Sequence, residues 1–156
     1  CGYLVDQDKN CVCSAADIKR YQKRLSGPLL DRIDLHLLIK KVKSGDLSGS
    51  DVKAERSSIV QQRVNLARIR QSHRFKGDKF NLNADIEPKA MQIYCQITDS
   101  SKQILQQAVD RLQLSARAYF KILKVARTIA DLGDDGSIKD EHILEALQYR
   151  NKVFGA

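Results

Sequence analysis

One arginine of this chain stands out because of the residues around it. Arg32 lies between Asp31 and Asp34 in the segment SGPLLDRIDLH, which covers residues 26–36. A guanidinium is always charged and presents its donors as a fork, so it suits paired carboxylate or phosphate oxygens. Two interpretations remain open at this point. Arg32 forms a local salt bridge with Asp31 or Asp34, or it is offered to a phosphate across a subunit interface, where it would stabilise a transferring phosphoryl group.

A second arginine begins a strongly periodic segment. Arg117 lies in LSARAYFKILKVARTIADL, residues 114–132, within the first turn of a predicted helix. A cation there opposes the helix dipole, which favours a fixed anionic partner for Arg117. Lys121 and Lys124 share its helix face, and Arg127 extends that face only partly. The alternative, a solvated basic face, fits the two lysines better than it fits Arg117.

Three cysteines near the start of the chain have the chemistry of zinc ligands. Cys1 precedes the pair Cys11 and Cys13. A structural zinc site needs four ligands, so these three do not complete one by themselves. Cys95 lies on the apolar face of a predicted helix, where we expect it to be a core residue.

Some chemistry is missing from the sequence. It contains no G-x-x-x-x-G-K-[ST] phosphate loop and no apolar strand that ends in an acidic metal-binding pair. We therefore expect no hydrolysis by this chain alone. Because the sequence starts at Cys1-Gly2 without an initiator Met, we expect a piece of a longer protein.

Composition limits the class of protein. With 156 residues and 42% hydrophobic residues, the chain can bury one core or two small ones. It has no apolar run near the roughly 18 residues of a membrane span and no signal peptide, so we expect a cytoplasmic protein without membrane contact. The net charge is +8, and residues 1–76 hold 16 Lys/Arg against 8 Asp/Glu. This basic half is either a solvated surface or a binding surface for nucleic acid or nucleotide phosphates.

The first half of the chain predicts short elements. Ser14 caps a helix over Ala15–Leu25, and Pro28 suits the first turn of another helix. The apolar run Leu35–Ile39 predicts a strand buried on both faces, as in a parallel sheet. Residues 40–56 are polar and contain glycine-serine pairs, which indicate a flexible connection.

The rest of the chain has helical periodicity. A helix from Ser57 or Ser58 to about Phe75 is expected to turn Val60, Val64 and Ala67 inward. One strand cannot form a sheet, so residues 1–76 look like the end of a larger domain. Four further helices are predicted to form a small bundle in residues 77–156, over Pro88–Ile97, Ser101–Leu114, Ala116–Leu132 and Lys139–Tyr149.

Five ordered motifs give the chain a family resemblance. They are CGY at residue 1, CVCS at residue 11, SGPLLDRIDLH at residue 26, LSARAY at residue 114 and KVARTIADL at residue 124. Together they resemble the C-terminal portion of the magnesium-chelatase-like AAA+ ATPases of the bacterial ComM/YifB competence type. The resemblance implies a mostly α fold, in which the C-terminal end of an AAA+ α/β domain, one strand plus helices, precedes a small helical lid.

The resemblance also implies roles for three arginines. Arg32 would be the arginine finger that acts in trans on ATP held by the adjacent subunit. Arg117 would be the sensor-2 arginine that reaches the γ-phosphate from the lid, and Arg127 is the alternate for that role. The family has a further cysteine two residues before Cys1, which would complete a four-cysteine zinc site in the full protein.

The family's Walker A and Walker B segments would lie upstream of this chain. The resemblance therefore implies ATP and Mg²⁺ as cofactors of a full-length ring, a hexamer, that couples ATP hydrolysis to DNA processing and branch migration in natural transformation. Two alternatives remain open. One is a chelatase- or chaperone-like remodeller that acts on a protein partner, and the other is a freestanding basic helical DNA-binding module.

Overall fold

The computed structural model describes residues 3–4, 10–37, 39, 42 and 55–150. Two 3-10 turns, Asn83–Asp85 and Pro88–Ala90, occur in these ranges. None of the helices described has the length and apolar character needed to cross a bilayer. The predicted mostly helical fold is confirmed. The α-helices in the described ranges are α1 (Ala15–Gln22), α2 (Gly27–Leu30), α3 (Ser57–Arg74), α4 (Met91–Tyr94), α5 (Asp99–Leu112), α6 (Ala116–Leu132) and α7 (Asp140–Gln148).

The two short N-terminal helices begin at serine caps. The Oγ atoms of Ser14 and Ser26 accept the backbone N–H of the third residue that follows, at 3.2 and 3.4 Å. Such a cap satisfies one of the N–H groups that have no partner inside the first turn. Pro28 lies in the first turn of α2, where its missing N–H leaves no bond unmade. The predicted helix starts are confirmed, while α1 ends at Gln22 instead of Leu25.

The strand predicted at Leu35–Ile39 is wrong for the described residues of that segment, which are 35–37 and 39. Their backbone is irregular, and the side chains of Leu35, Leu37 and Ile39 are exposed. The N–H of His36 donates to the carbonyl of Tyr149 at 2.8 Å, not to a neighbouring strand. A strand is stabilised by a hydrogen-bonded ladder with a second strand. The described part of the chain offers no such partner, so Leu35, Leu37 and Ile39 face outward.

The later helices form one body around α6. Helix α6 packs against α3 and α7, and α5 packs against α7. The helical period of α6 brings Ile122 and Ala126 to zero exposure. The core is a cluster of buried apolar side chains: Phe75, Phe80, Ile86, Met91, Cys95, Leu105, Ile122, Leu123, Ala126, Ile138, Ile143 and Ala146.

An aromatic trio closes one end of this core. The rings of Phe75, Phe80 and Tyr94 meet edge to face, with centroids 5.1–6.0 Å apart. The helix predicted at residues 88–97 is a 3-10 turn followed by the single α turn α4, and it ends at Tyr94. Cys95 is buried as predicted, and burial raises the pKa of its thiol to about 11. It is a core residue.

Helix α3 is buried only in its second half. Ala67 and Phe75 pack inward, but Val60 and Val64 are exposed, contrary to the predicted apolar side. The first half extends beyond the helical body, so no neighbour covers those valines within the described residues. Although the predicted boundary at residue 76 assigns α3 to the first domain, the observed packing joins its second half to α6.

Candidate functional site

Arg32 lies just after helix α2, at an exposed position. The Ser26 cap and Pro28 start that helix, and the N–H of Arg32 still donates to the carbonyl of Leu29 at 3.0 Å. The Arg32 guanidinium donates through one nitrogen to the carbonyl of Pro28 at 2.8 Å. This single bond back to the helix leaves most of the donor fork facing solvent.

The two aspartates beside Arg32 interact with other cations. Asp34 forms an ion pair with Lys121 of helix α6. Asp31 and Asp34 also interact electrostatically with Arg150, whose pKa is lowered by burial and partly restored by these two carboxylates. Within the described residues, neither carboxylate forms a salt bridge with Arg32. The local salt bridge considered for Arg32 is therefore absent.

Arg117 has no internal partner in the described part of the chain. It lies in the first turn of α6, whose cap Ser115 accepts the N–H of Ala118 at 3.2 Å. The Arg117 side chain is exposed, with no hydrogen bond or ion pair to a described residue. Its charge opposes the helix dipole without local compensation. The guanidinium is therefore available to an anion from outside the chain.

The lysines that follow Arg117 are not a solvated face. The Lys121 ammonium donates to the carbonyl of Arg32 at 2.5 Å as well as pairing with Asp34. Lys124 donates to the carbonyl of Ala84 at 2.6 Å. The solvated alternative thus fails for both lysines. Because Lys121 is one helical turn beyond Arg117, about 6 Å along the axis, the fold brings the Arg32 segment close to the Arg117 turn.

Arg127 lies in the interior instead. Its guanidinium donates to the carbonyls of Gly136 and Asp135 at 3.0 and 2.6 Å and pairs with the buried carboxylate of Asp131. Burial lowers the pKa of Arg127, while Asp131 acts against that shift. An arginine held in this way has an internal structural role, and its position does not favour the alternate role at a phosphate.

The same cluster contains residues that sequence reasoning missed. Asp131 is fully buried, and it accepts bonds from Arg74 of helix α3 and from the Asn83 side chain in addition to its pair with Arg127. Opposite charges four residues apart commonly pair within a helix, so the pair of Arg127 with Asp131 could have been predicted from the sequence. The involvement of Arg74, 57 residues away, left no local signal.

The cysteine ligand set is not completed in the described residues. Cys1 lies outside them, and Cys11 and Cys13 lie in the irregular segment before α1. One group of possible ligands, Asp135, Glu141 and His142, does come together. The predicted zinc site is not supported.

The chemistry of that acidic group also argues against a metal. His142 Nδ1 accepts the N–H of Lys139 at 3.0 Å, so the neutral ring carries its proton on Nε2. That Nε2 lies 3.2 Å from an Asp135 oxygen and donates to it. The other Asp135 oxygen pairs with the Lys139 ammonium. Nε2 therefore has no lone pair for an ion, and the group is an internal polar network.

Comparison with known proteins places the chain. The family described as magnesium chelatase, subunit ChlI C-terminal, matches residues 54–150, and magnesium chelatase, subunit ChlI, matches residues 1–47. The chain is 38% identical over 140 residues to competence protein ComM of Haemophilus influenzae. The matched region covers 90% of this chain and 27% of ComM. It is 41% identical over 138 residues to YifB of Salmonella typhimurium, which covers 88% of this chain and 26% of YifB.

The chain therefore spans about a quarter of the length of these two relatives. The C-terminal family description alone covers more than half of the chain. The resemblance drawn from the five motifs is confirmed at the level of the family. This chain belongs to the family of the magnesium chelatase subunit ChlI.

Proposed function

We propose that this chain is the C-terminal part of a ring-forming AAA+ ATPase. In this proposal residues near the start complete the α/β ATP-binding domain, and the helical body is the lid. ATP and Mg²⁺ bind in the full-length protein, largely through upstream segments. Family membership and the five ordered motifs support the proposal.

The observation that carries the proposal is that the Arg32 guanidinium is exposed and unpaired with either neighbouring aspartate. Its guanidinium is exposed, and both neighbouring aspartates interact with cations of the helical body. Either aspartate is near enough in sequence to form an ion pair with Arg32, yet among the described residues Asp34 pairs with Lys121 and both carboxylates act on Arg150. Here the fold keeps the positive charge unneutralised, as an arginine that acts on another subunit's phosphate requires.

The proposed chemistry divides between two arginines. Arg32 acts in trans, where its fork stabilises the charge that builds up on the γ-phosphoryl oxygens as water attacks. Arg117 closes on the γ-phosphate of its own subunit from the first turn of α6. ATP with Mg²⁺ supplies the phosphoryl group, and this chain supplies the positive charge. Arg127 is assigned no part, because it is buried and both of its terminal guanidinium nitrogens donate to carbonyls within the fold.

The full-length protein that carries this chain provides the test. Arg32→Ala should lower kcat for ATP hydrolysis by at least about 10³-fold, the range measured for arginine fingers. Arg117→Ala should also lower turnover. Arg111→Ala is the matched control, because Arg111 is an exposed arginine of α5 outside both motifs. Wild-type turnover in Arg32→Ala would contradict the proposal.

Mixed rings separate action in trans from action in cis. Subunits with Arg32→Ala are mixed with subunits in which the upstream phosphate-binding lysine is replaced. Each variant is inactive alone, but a mixed ring sets a wild-type Arg32 beside an intact ATP site. Turnover should therefore reappear on mixing. If mixing restores nothing while the rings assemble, the arginine does not act across the interface.

We further propose that the ring is a hexamer that acts on DNA; the relative ComM is named a competence protein. Helix α1 supports a DNA contact because its basic side chains are exposed and none of its residues is buried. ATP turnover in the same experiment should rise when duplex or branched DNA is added. A ring that responds only to a protein partner would favour the remodeller alternative.

A further inference from the structure

Lys121 connects helix α6 to the segment that carries Arg32. Its ammonium donates to the carbonyl of Arg32 itself at 2.5 Å and pairs with the carboxylate of Asp34. The two partners lie 89 and 87 residues away in sequence. One side chain therefore holds the peptide group that follows Arg32 and the aspartate two residues beyond it.

This contact differs from an ordinary surface ion pair. The Lys121 side chain is only 20% exposed, although its partner Asp34 is 56% exposed. Isolated exposed pairs contribute little because two long side chains must be ordered for a weak attraction in water. Here one lysine is mostly covered and has two acceptors, one of them on the backbone. The contact therefore fixes the direction of the chain at Arg32.

A second attachment holds the same segment at His36. The N–H of His36 donates to the carbonyl of Tyr149 at 2.8 Å, just after helix α7. Arg150, next in the chain, is buried and lies in the field of Asp31 and Asp34. The Arg32 segment is thus attached to two parts of the helical body. Through these contacts, a rotation of that body would act on the Arg32 segment.

Helix α6 also carries Arg117, one turn before Lys121. Four helical residues correspond to about 6 Å along the axis, within a single rigid stretch of helix. An anion that engages Arg117 would therefore act on the helix that holds Arg32. The two arginines are linked by a short path through α6 and the Lys121 ammonium.

We propose that Lys121 is a positioning residue that couples the two arginines and, through them, neighbouring ATP sites of the ring. The inference rests on the proposed function, in which Arg117 contacts the subunit's own ATP and Arg32 contacts that of its neighbour. Closure of the body on one ATP then sets the position of Arg32 at the next site. The coupling requires no new contact between subunits.

Lys121→Met tests the coupling in the full-length protein. Methionine keeps much of the length and removes the charge and all three donors. We expect amide exchange in residues 32–36 to become at least about tenfold faster, because local opening loses a charge-assisted contact. We expect kcat to fall by about 10- to 100-fold through misplacement of Arg32, with little change in KM for ATP. The Hill coefficient for ATP should fall towards one.

Two further variants serve as controls. Lys124→Gln removes a lysine from the same helix whose ammonium is bonded to Ala84, away from the Arg32 segment. Its exchange rates at residues 32–36 and its Hill coefficient should match those of the wild type. Lys121→Arg keeps a charged donor and should recover much of the cooperativity. Thermal unfolding of each variant checks that the body remains folded.

The outcomes separate this inference from the function on which it rests. If Arg32→Ala stops turnover while Lys121→Met keeps wild-type kcat and cooperativity, the coupling is wrong and the proposed function stands. Unchanged exchange at residues 32–36 in Lys121→Met also overturns the coupling. If Arg32→Ala leaves turnover unchanged, the proposed function fails and the coupling fails with it.

Discussion

Two regions of this molecule place arginines beside aspartates, but the arginines are paired with an aspartate in only one of them. In the helical body, the buried carboxylate of Asp131 pairs with both Arg74 and Arg127 and accepts a further bond from Asn83. In the segment after α2, Arg32 keeps its charge exposed although two aspartates lie within two residues of it.

Burial explains the difference between the two regions. A charged group that leaves water must find a partner, so the arginines at Asp131 are bound to it and to nearby carbonyls. An exposed arginine is solvated, and the fold can direct its neighbouring carboxylates elsewhere without a large penalty. The comparison shows that residue type alone does not separate a structural arginine from an available one. The two kinds of arginine are distinguished by whether the nearby carboxylates pair with the arginine or with another cation.

The largest effect is expected where the charge is buried. Asp131→Asn keeps the shape of the side chain but leaves Arg74 and Arg127 without their negative partner. Breaking a buried pair from one side costs about 3–5 kcal/mol, because the remaining charges are uncompensated. We expect a loss of that size in the free energy of unfolding, measured by urea denaturation of this chain.

Asp134→Asn is the matched control for that measurement. Asp134 pairs with Arg70 on the same side of the body, but its side chain is 78% exposed. Its replacement should change the free energy of unfolding by less than about 1 kcal/mol. Equal losses in the two variants would mean that burial does not distinguish the two carboxylates, and the contrast drawn between the regions would fail.

Local sequence was sufficient to predict the central helix of the body, α6. The predicted start of α6 at Ala116 and its predicted end at Leu132 agree with the structure. These features depend on residues within one or two turns of each other. Arg32 and Arg117 were selected on residue type and helix position, which are also local. Their proposed roles remain predictions.

The features that sequence reasoning missed depend on distant residues. The pair between Arg74 and Asp131 spans 57 residues, and the bond from Lys121 to the Arg32 carbonyl spans 89. The strand prediction at residues 35–39 failed for a related reason. An apolar run is compatible with a strand, but only a neighbouring strand makes it one, and the run itself carries no information about that neighbour.

Serine caps provide a second comparison between the regions, with a smaller expected effect. Ser115 begins the central helix of the body, so Ser115→Ala should lower the free energy of unfolding by about 1 kcal/mol. Ser26 caps α2, a helix without buried residues. Ser26→Ala should leave global unfolding unchanged within about 0.5 kcal/mol. Thermal and urea unfolding of both variants provides the measurement, and a larger loss at Ser26 would show that α2 is integral to the body.

The smallest effect concerns a half-buried aspartate, Asp140, that joins two helices of the body. Asp140, at the start of α7, accepts hydrogen bonds from the hydroxyls of Ser100, Ser101 and Thr98 at the start of α5. These bonds hold the pKa of Asp140 below its ordinary value of 3.8, with the Ser100 hydroxyl as the largest cause. The folded chain therefore binds this proton less readily than the unfolded chain does.

The sign of the pH dependence follows from that lowered pKa. The stabilisation by Asp140 is fully present above pH 3.8 and is lost as the pH falls through the folded-state pKa. Asp140→Asn should therefore be less stable than the wild type at neutral pH, and the difference should shrink below pH 3.8. Urea unfolding of both proteins across the acid range measures it. If the difference in unfolding free energy between the two proteins stays constant with pH, the hydrogen bonds from the three hydroxyls to Asp140 act through shape and not through charge. In that case Asp140 would stabilise the body in a different way from the charged partners of Asp131.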